Sequence, residues 1–187
     1  MADAINVQEL IEIFDLEPLE VEGGFFAQTY KSGERAPQAG LPARYRGPHP
    51  MATAILYLYT AAPGGFSALH RLPTDEIYHF YLGDPVEMLL LYPHGESQKV
   101  ILGSDVLHGQ RVQFVAPRGV WQGSHLLPGG KFALAGTTMA PGFENSDYEG
   151  GERDALIQQY PQEAGLIREL TRPDAPLSMG NHFLPAP

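Results

Sequence analysis

Between residues 21 and 139 the chain is a succession of short β-branched and aromatic runs: GGFFAQTY, TAILYLYT, FSALH, EIYHFYLG, VEMLLLY, KVILG, RVQFVAP, GVWQGSHLL and KFALAGTTM. Most alternate with a period near two, and Gly, Pro, Asn or Asp separates them. Turn chemistry sits at PGG (63–65), GDP (83–85), HGES (94–97) and LPGG (127–130). Many short strands at this spacing predict a sandwich or a barrel. Helical periodicity lies outside this region. NVQELIEIF places Val7, Leu10, Ile11 and Phe14 on one face behind a capping pair, Asn6 and Glu9. RDALIQQYP and AGLIRELT predict short helices packed outside the β core.

Length and charge narrow the function. The 187 residues fit one domain, with an irregular tail expected at 172–187. No apolar run approaches the roughly 20 residues that span a bilayer, and MADAINVQEL lacks the marks of an export signal. The expectation is a cytoplasmic protein without membrane contact. A net charge of −10 with twelve scattered basic residues disfavours nucleic acid as a partner. With no cysteine, a metal would need His, Asp, Glu or Gln as ligands. The acidic run at 140–154 lacks the oxygen spacing of a calcium loop and predicts a solvated face. GGFFAQTY lacks the context of a phosphate loop, so Gly23 and Gly24 are expected to turn the chain into the first strand. Residues 32–50, rich in Pro, Gly and Arg, predict a lid or an arm exchanged with a second subunit.

Chemistry concentrates in SALHRLPTDEIYHFYLG, residues 67–83. If RLPTD is a turn, His70 closes one strand and Glu76 opens the next, and their side chains meet across the pair. Alternation then puts Glu76, Tyr78 and Phe80 inside, with Ile77, His79 and Tyr81 outside. In FVAPRGVWQGSHL the same rule groups Val120, Gln122 and Ser124 inward and turns Trp121 and His125 away. Gln122 therefore joins His70 and Glu76.

These residues carry a resemblance to the cupin superfamily. Gly65, His70, Glu76 and Gly83 fall on its first motif, and Pro117 and Gly119 on its second. Leu72 and Gln122 stand where that pattern has metal-binding histidines. HRLPTDEIYHFYLGDP, VAPRGVWQ and APGF are similar to the DUF985-type (cupin-5) branch, whose function is unknown and whose fold resembles that of rhamnose-pathway epimerases; the resemblance spans about 17–171 and implies a single cupin domain with that core. The resemblance implies an all-β double-stranded β-helix, the cupin jelly roll, with short flanking N- and C-terminal helices, and a homodimer. Outward Tyr57, Tyr59, Ile77 and Tyr81 would form the dimer contact.

Three functions follow. The first is a metal-independent isomerase- or epimerase-like enzyme acting on a carbohydrate-like or small carbonyl compound. By resemblance to the epimerases, His70 is the base and a tyrosine among Tyr57, Tyr59 and Tyr78 the acid, with Glu76 orienting the imidazole or, if burial raises its pKa, acting as the base itself. The second is a non-catalytic small-ligand binder. The third holds a loosely bound divalent metal on His70, Glu76 and Gln122, a poor set because Gln is a weak neutral donor. In each, Phe66, Ser67, Phe80, Val120, Gln122, Ser124 and Phe143 are the expected ligand contacts. His79 is expected to make a structural hydrogen bond or dimer contact, and Trp121 to pack. His49, His94, His108, His125 and His182 are expected at the surface.

Overall fold

The computed structural model describes residues 5–180. The chain runs through α1 (Val7–Phe14), β1 (Glu17–Pro18), β2 (Phe25–Lys31), β3 (Arg35–Ala36), β4 (His49–Pro50), β5 (Thr53–Thr60), β6 (Ser67–Arg71) and β7 (Glu76–Gly83). It continues through β8 (Val86–Leu91), β9 (Ser97–Leu102), β10 (Gln113–Ala116), β11 (Trp121–Leu126), β12 (Phe132–Met139), β13 (Glu149–Gly150), α2 (Arg153–Gln159) and α3 (Ala164–Glu169). One antiparallel sheet has the order β1-β2-β5-β12-β7-β10, and the facing one β13-β6-β11-β8-β9. From β5 to β8 each successive strand crosses to the other sheet, which makes the sandwich a jelly roll.

Each sheet is also covered over part of its outer face. Tyr57, Tyr59, Tyr78, Phe80, Met88, Leu90 and Val120 fill the space between the sheets. Leu156, Tyr160, Ile167 and Leu170 of the α2–α3 segment pack on Leu69, Leu89 and Leu91 behind the five-stranded sheet. Leu10 of α1, with Leu16, covers Leu58 and Leu134 behind the other. Burial of each such side chain contributes about 1.5–3 kcal/mol. The capping pair is present: Asn6 Oδ1 accepts from the Gln8 amide at 3.0 Å, and Glu9 Oε2 from the Asn6 amide at 3.2 Å.

This layering reverses the expectation for Tyr57 and Tyr59, which point into the sandwich and are 3% and 1% exposed. TAILYLYT is apolar on both faces because α1 covers its leucines. Ile77 and Tyr81 do face outward, half-buried and exposed respectively.

The 32–50 segment is an ordered arm on its own barrel. β3 pairs with β4, Tyr45 Oη lies 2.8 Å from Thr74 Oγ1, and His49 is fully buried with Nε2 2.9 Å from Asp147 Oδ1. His49 is therefore not a surface residue. The acidic run is not simply solvated either: Asp147 is buried on His49, Glu144 pairs with Arg35 at 2.7 Å, and Glu149 with Arg71 at 2.7 Å. His94 and His108 are exposed, while His125 is half-buried, 3.4 Å from Glu87; His182 lies outside the described residues. His79, half-buried, approaches Thr138 Oγ1 at 3.3 Å. Trp121 packs behind the five-stranded sheet under the Arg71 guanidinium. Among the described residues no helix is long and apolar enough to cross a membrane.

Candidate functional site

A β-bulge builds the site. On β11, Gln122 pairs with His70 and Ser124 with Ser67, so three residue steps on β6 oppose two on β11. Strict alternation would send Ser67 and His70 to opposite faces, and the extra residue returns both to the interior. Its backbone is also used: the Ala68 amide donates to the Glu22 carbonyl at 2.9 Å, and the Ala68 carbonyl accepts from His70 Nδ1–H at 2.8 Å. One bulge thereby keeps a proton on Nδ1 and holds the Glu22 segment beside the ring.

Glu22 arrives on the turn into β2. Gly23 and Gly24 both have positive φ, and a Cβ on Gly24 would stand 2.6 Å from the Tyr57 hydroxyl oxygen. Ser67 Oγ donates to Glu22 Oε1 at 2.6 Å. Across the barrel, Gln122 Nε2 donates to Glu76 Oε2 at 2.6 Å, and Tyr78 Oη donates to the same oxygen at 3.1 Å. Gln122 Nε2 is also 3.2 Å from His70 Nε2, and Glu76 Oε2 is 3.9 Å from it. The Tyr148 ring stacks on the imidazole, with centroids 5.3 Å apart at 17°.

Glu22, His70 and Glu76 line a chamber of about 60 Å³, with Thr137 and Tyr148 as further polar groups and Leu72, Phe143 and Met179 among the apolar walls. Its environment pushes the two carboxylates apart. Burial raises the Glu22 pKa, and neither His70 nor Ser67 fully reverses this. Burial would raise Glu76 too, but His70, Thr137 and Gln122 hold it below the usual value. For His70, burial opposes the cation, yet the Glu22 and Glu76 charges outweigh it and push the pKa up to about 9. The Gln122 contact favours neutral imidazole by about 1 kcal/mol. A carboxylate near 4 Å favours the cation by about 4 kcal/mol at an effective dielectric of about 20, so the charge term decides.

The expected site is thus only partly assembled. His70, Glu76, Tyr78 and Gln122 form one hydrogen-bonded cluster and Ser67 holds Glu22 beside it; of the expected residues, His70, Glu76 and Phe143 line the chamber. Phe80 and Val120 lie in the core, Ser124 is 2.9 Å from Tyr59 Oη, and Phe66 packs behind the five-stranded sheet. Tyr57 Oη donates to the Gly23 carbonyl at 2.8 Å. None of these five lines the chamber. Glu22 and Tyr148 were not anticipated. The Gly-Gly turn after Glu22 was the available signal for the first, and the acidic run masked the second.

A tight transition-metal site is not what these residues fit. Gln122 presents its amide nitrogen, which has no lone pair to give, and the place of a further histidine is the hydrocarbon of Leu72. Gln122 Oε1, buried without a hydrogen-bond partner among the described residues, would add only a weak neutral donor. Among those residues, no group of three His, Cys, Asp or Glu side chains is arranged to hold a metal.

Comparison with known proteins agrees with the architecture. A family model described as Cupin superfamily (DUF985) matches residues 8–150. An uncharacterized protein of Saccharomyces cerevisiae is 28% identical over 151 residues, covering 76% of this chain and 74% of that one. The crystal structure of a Shewanella oneidensis protein aligns with a TM-score of 0.77 at 31% identity, over 91% of this chain and all of that one. A hypothetical protein from Leishmania major aligns with a TM-score of 0.77 at 24% identity, over 89% and 99% of the two chains. The chain belongs to the DUF985 family of the cupin superfamily.

Proposed function

We propose that the protein is a metal-independent acid/base enzyme of the isomerase or epimerase class, moving a proton on a small carbonyl or carbohydrate-like compound. The observation that supports this most is the His70 imidazole held between two carboxylates on the chamber wall. Carboxylates whose pKa values are pushed in opposite directions divide the work. Glu76, kept ionised, fixes the imidazolium, and Tyr78 positions Glu76. Glu22, whose pKa burial raises, is in its ionised form the stronger base and accepts the proton from the carbon beside the carbonyl. The electron pair of that C–H bond forms a carbon–carbon double bond as the π pair of the carbonyl moves onto its oxygen, which takes a proton from His70 Nε2. Glu22 then returns its proton to carbon while His70 Nε2 takes back the proton on the enol oxygen, which restores both groups and completes the isomerisation. His70 is then the acid rather than the base, because a cation cannot accept a proton.

The test is solvent deuterium uptake, followed by NMR over a panel of small keto compounds and sugars. Wild type is expected to exchange a hydrogen beside the carbonyl in at least one of them. Glu22→Gln and His70→Gln are each expected to lose roughly a hundredfold or more. Saturable binding without exchange in wild type would instead make the protein a binding module.

The same reading includes a homodimer. Tyr81 and Val115, 53% and 45% exposed, lie with Ile77 on the outer face of the six-stranded sheet, away from the part α1 covers. A second copy of this face would cover them. Light scattering at micromolar concentration is expected to give twice the chain mass; a monomer would contradict it.

A further inference from the structure

The chamber is too small for a whole metabolite. About 60 Å³ admits a carbonyl and a few neighbouring atoms, whereas sites for complete small ligands run to roughly 300 Å³ or more. The rest of a substrate must lie outside. Leu72 and Tyr148, which wall the chamber, also wall a groove of about 490 Å³.

That groove is basic in an acidic protein. Arg44, Arg46, Arg71 and Arg118 line it, four of the chain's twelve Lys and Arg. They come from three separated segments: the 32–50 arm, the end of β6 and the turn before β11. Arg71 is forked onto Glu149 at 2.8 and 2.7 Å, and Arg118 lies 3.7 Å from Asp75. Asp147, also in the lining, is turned onto His49. Arg44 donates through Nε to the Pro73 carbonyl, leaving its terminal nitrogens to a ligand. Among the described residues neither Arg44 nor Arg46 pairs with a carboxylate. Two uncompensated guanidinium groups match a phosphate dianion, which arginine binds through paired N–H donors.

We propose that the substrate is a phosphorylated small molecule, its phosphate seated on Arg44 and Arg46 between Arg71 and Arg118, its carbonyl end passing Leu72 and Tyr148 to reach His70. This rests on the acid/base reading of the chamber, but it can be tested without turnover. The probe is pyrophosphate, titrated calorimetrically into full-length protein at low ionic strength. One saturable site is expected, weakened roughly tenfold or more in Arg44→Gln/Arg46→Gln and unchanged in His70→Gln. Arg46→Gln alone, at an exposed side chain without a hydrogen bond among the described residues, gives the same reading if the double variant loosens the arm. Arg111→Gln/Lys131→Gln removes equal charge away from the groove and is expected to bind like wild type. No saturable binding, or equal weakening in both double variants, would overturn the proposal. Deuterium exchange confined to unphosphorylated compounds would also overturn it while leaving the chamber chemistry standing. Pyrophosphate binding with no exchange on any phosphorylated compound would keep the anion site and sink the chemistry.

Discussion

Replacing Glu76 by Gln keeps the shape of the side chain and removes one of the two charges that make His70 a cation. The carboxylate oxygen is 3.9 Å from His70 Nε2, and at an effective dielectric of about 20 that separation corresponds to about 4 kcal/mol. At 1.36 kcal/mol per pKa unit the ceiling is about 3 units. Both charges are delocalised, and Glu22 remains, so roughly half should appear: a fall of about 1.5 units from the wild-type value of about 9. The assay is the pH titration of histidine ring carbon-bound protons by NMR, with the His70 signal assigned from its absence in His70→Gln. A wild-type His70 titrating near 6.5, or a midpoint that Glu76→Gln leaves in place, would refute the cation. Glu22 would then lose its assignment as the base, since a neutral imidazole could serve.

The same pKa sets a stability profile. His70 is raised from about 6.5 in the unfolded chain to about 9, so its contribution is full below pH 6.5 and is lost as the pH rises through 9. That loss is about 3 kcal/mol by linkage; urea midpoints at pH 6 and 9.5 should separate more in wild type than in His70→Gln, and parallel shifts would count against it. Leu72→His with Gln122→His supplies two nitrogen donors beside His70 and Glu76, and should bind cobalt near stoichiometrically with a visible absorption band that wild type lacks. An identical titration for both proteins would undo the argument from donor chemistry. Gly24→Ala forces a Cβ at φ +61° against the Tyr57 ring and should cost about 2 kcal/mol; an unmoved denaturation midpoint would show that the turn yields. His49→Ala removes the imidazole hydrogen bond to the buried Asp147 carboxylate and should cost about 2 kcal/mol, with faster proteolysis in the 32–50 arm as the second readout.

What the sequence made legible was what periodicity carries. Alternation in EIYHFYLG correctly put Glu76, Tyr78 and Phe80 inside, and the RLPTD turn brought His70 to Glu76. Alternation also has a blind spot: where both faces of a strand are apolar, as in TAILYLYT, it cannot say which one meets the core, so Tyr57 and Tyr59 were placed on the wrong side. Glu22 and Tyr148 sit in turns and loops, outside any period, and are brought to His70 by backbone geometry. The arginine groove was hidden for a related reason. Its cations are scattered along the chain, and only the folded arm gathers them.

The bulge at Ala68 has a consequence for how this site would be found by mutation. Alanine scanning interrogates side chains, and the residue that ties Glu22 to His70 does so through its amide and its carbonyl, with a methyl group that is already alanine. The decisive information is chain length, one residue more on β6 than on β11. Deleting Ala68 would let Ser67 and His70 pair regularly with Ser124 and Gln122, both still facing inward, so the strand could persist with every polar side chain present. It would lose the carbonyl that holds Nδ1 and the amide that holds the Glu22 segment. Two homologues with identical site residues and a one-residue gap in this strand should therefore not be assumed to share a function.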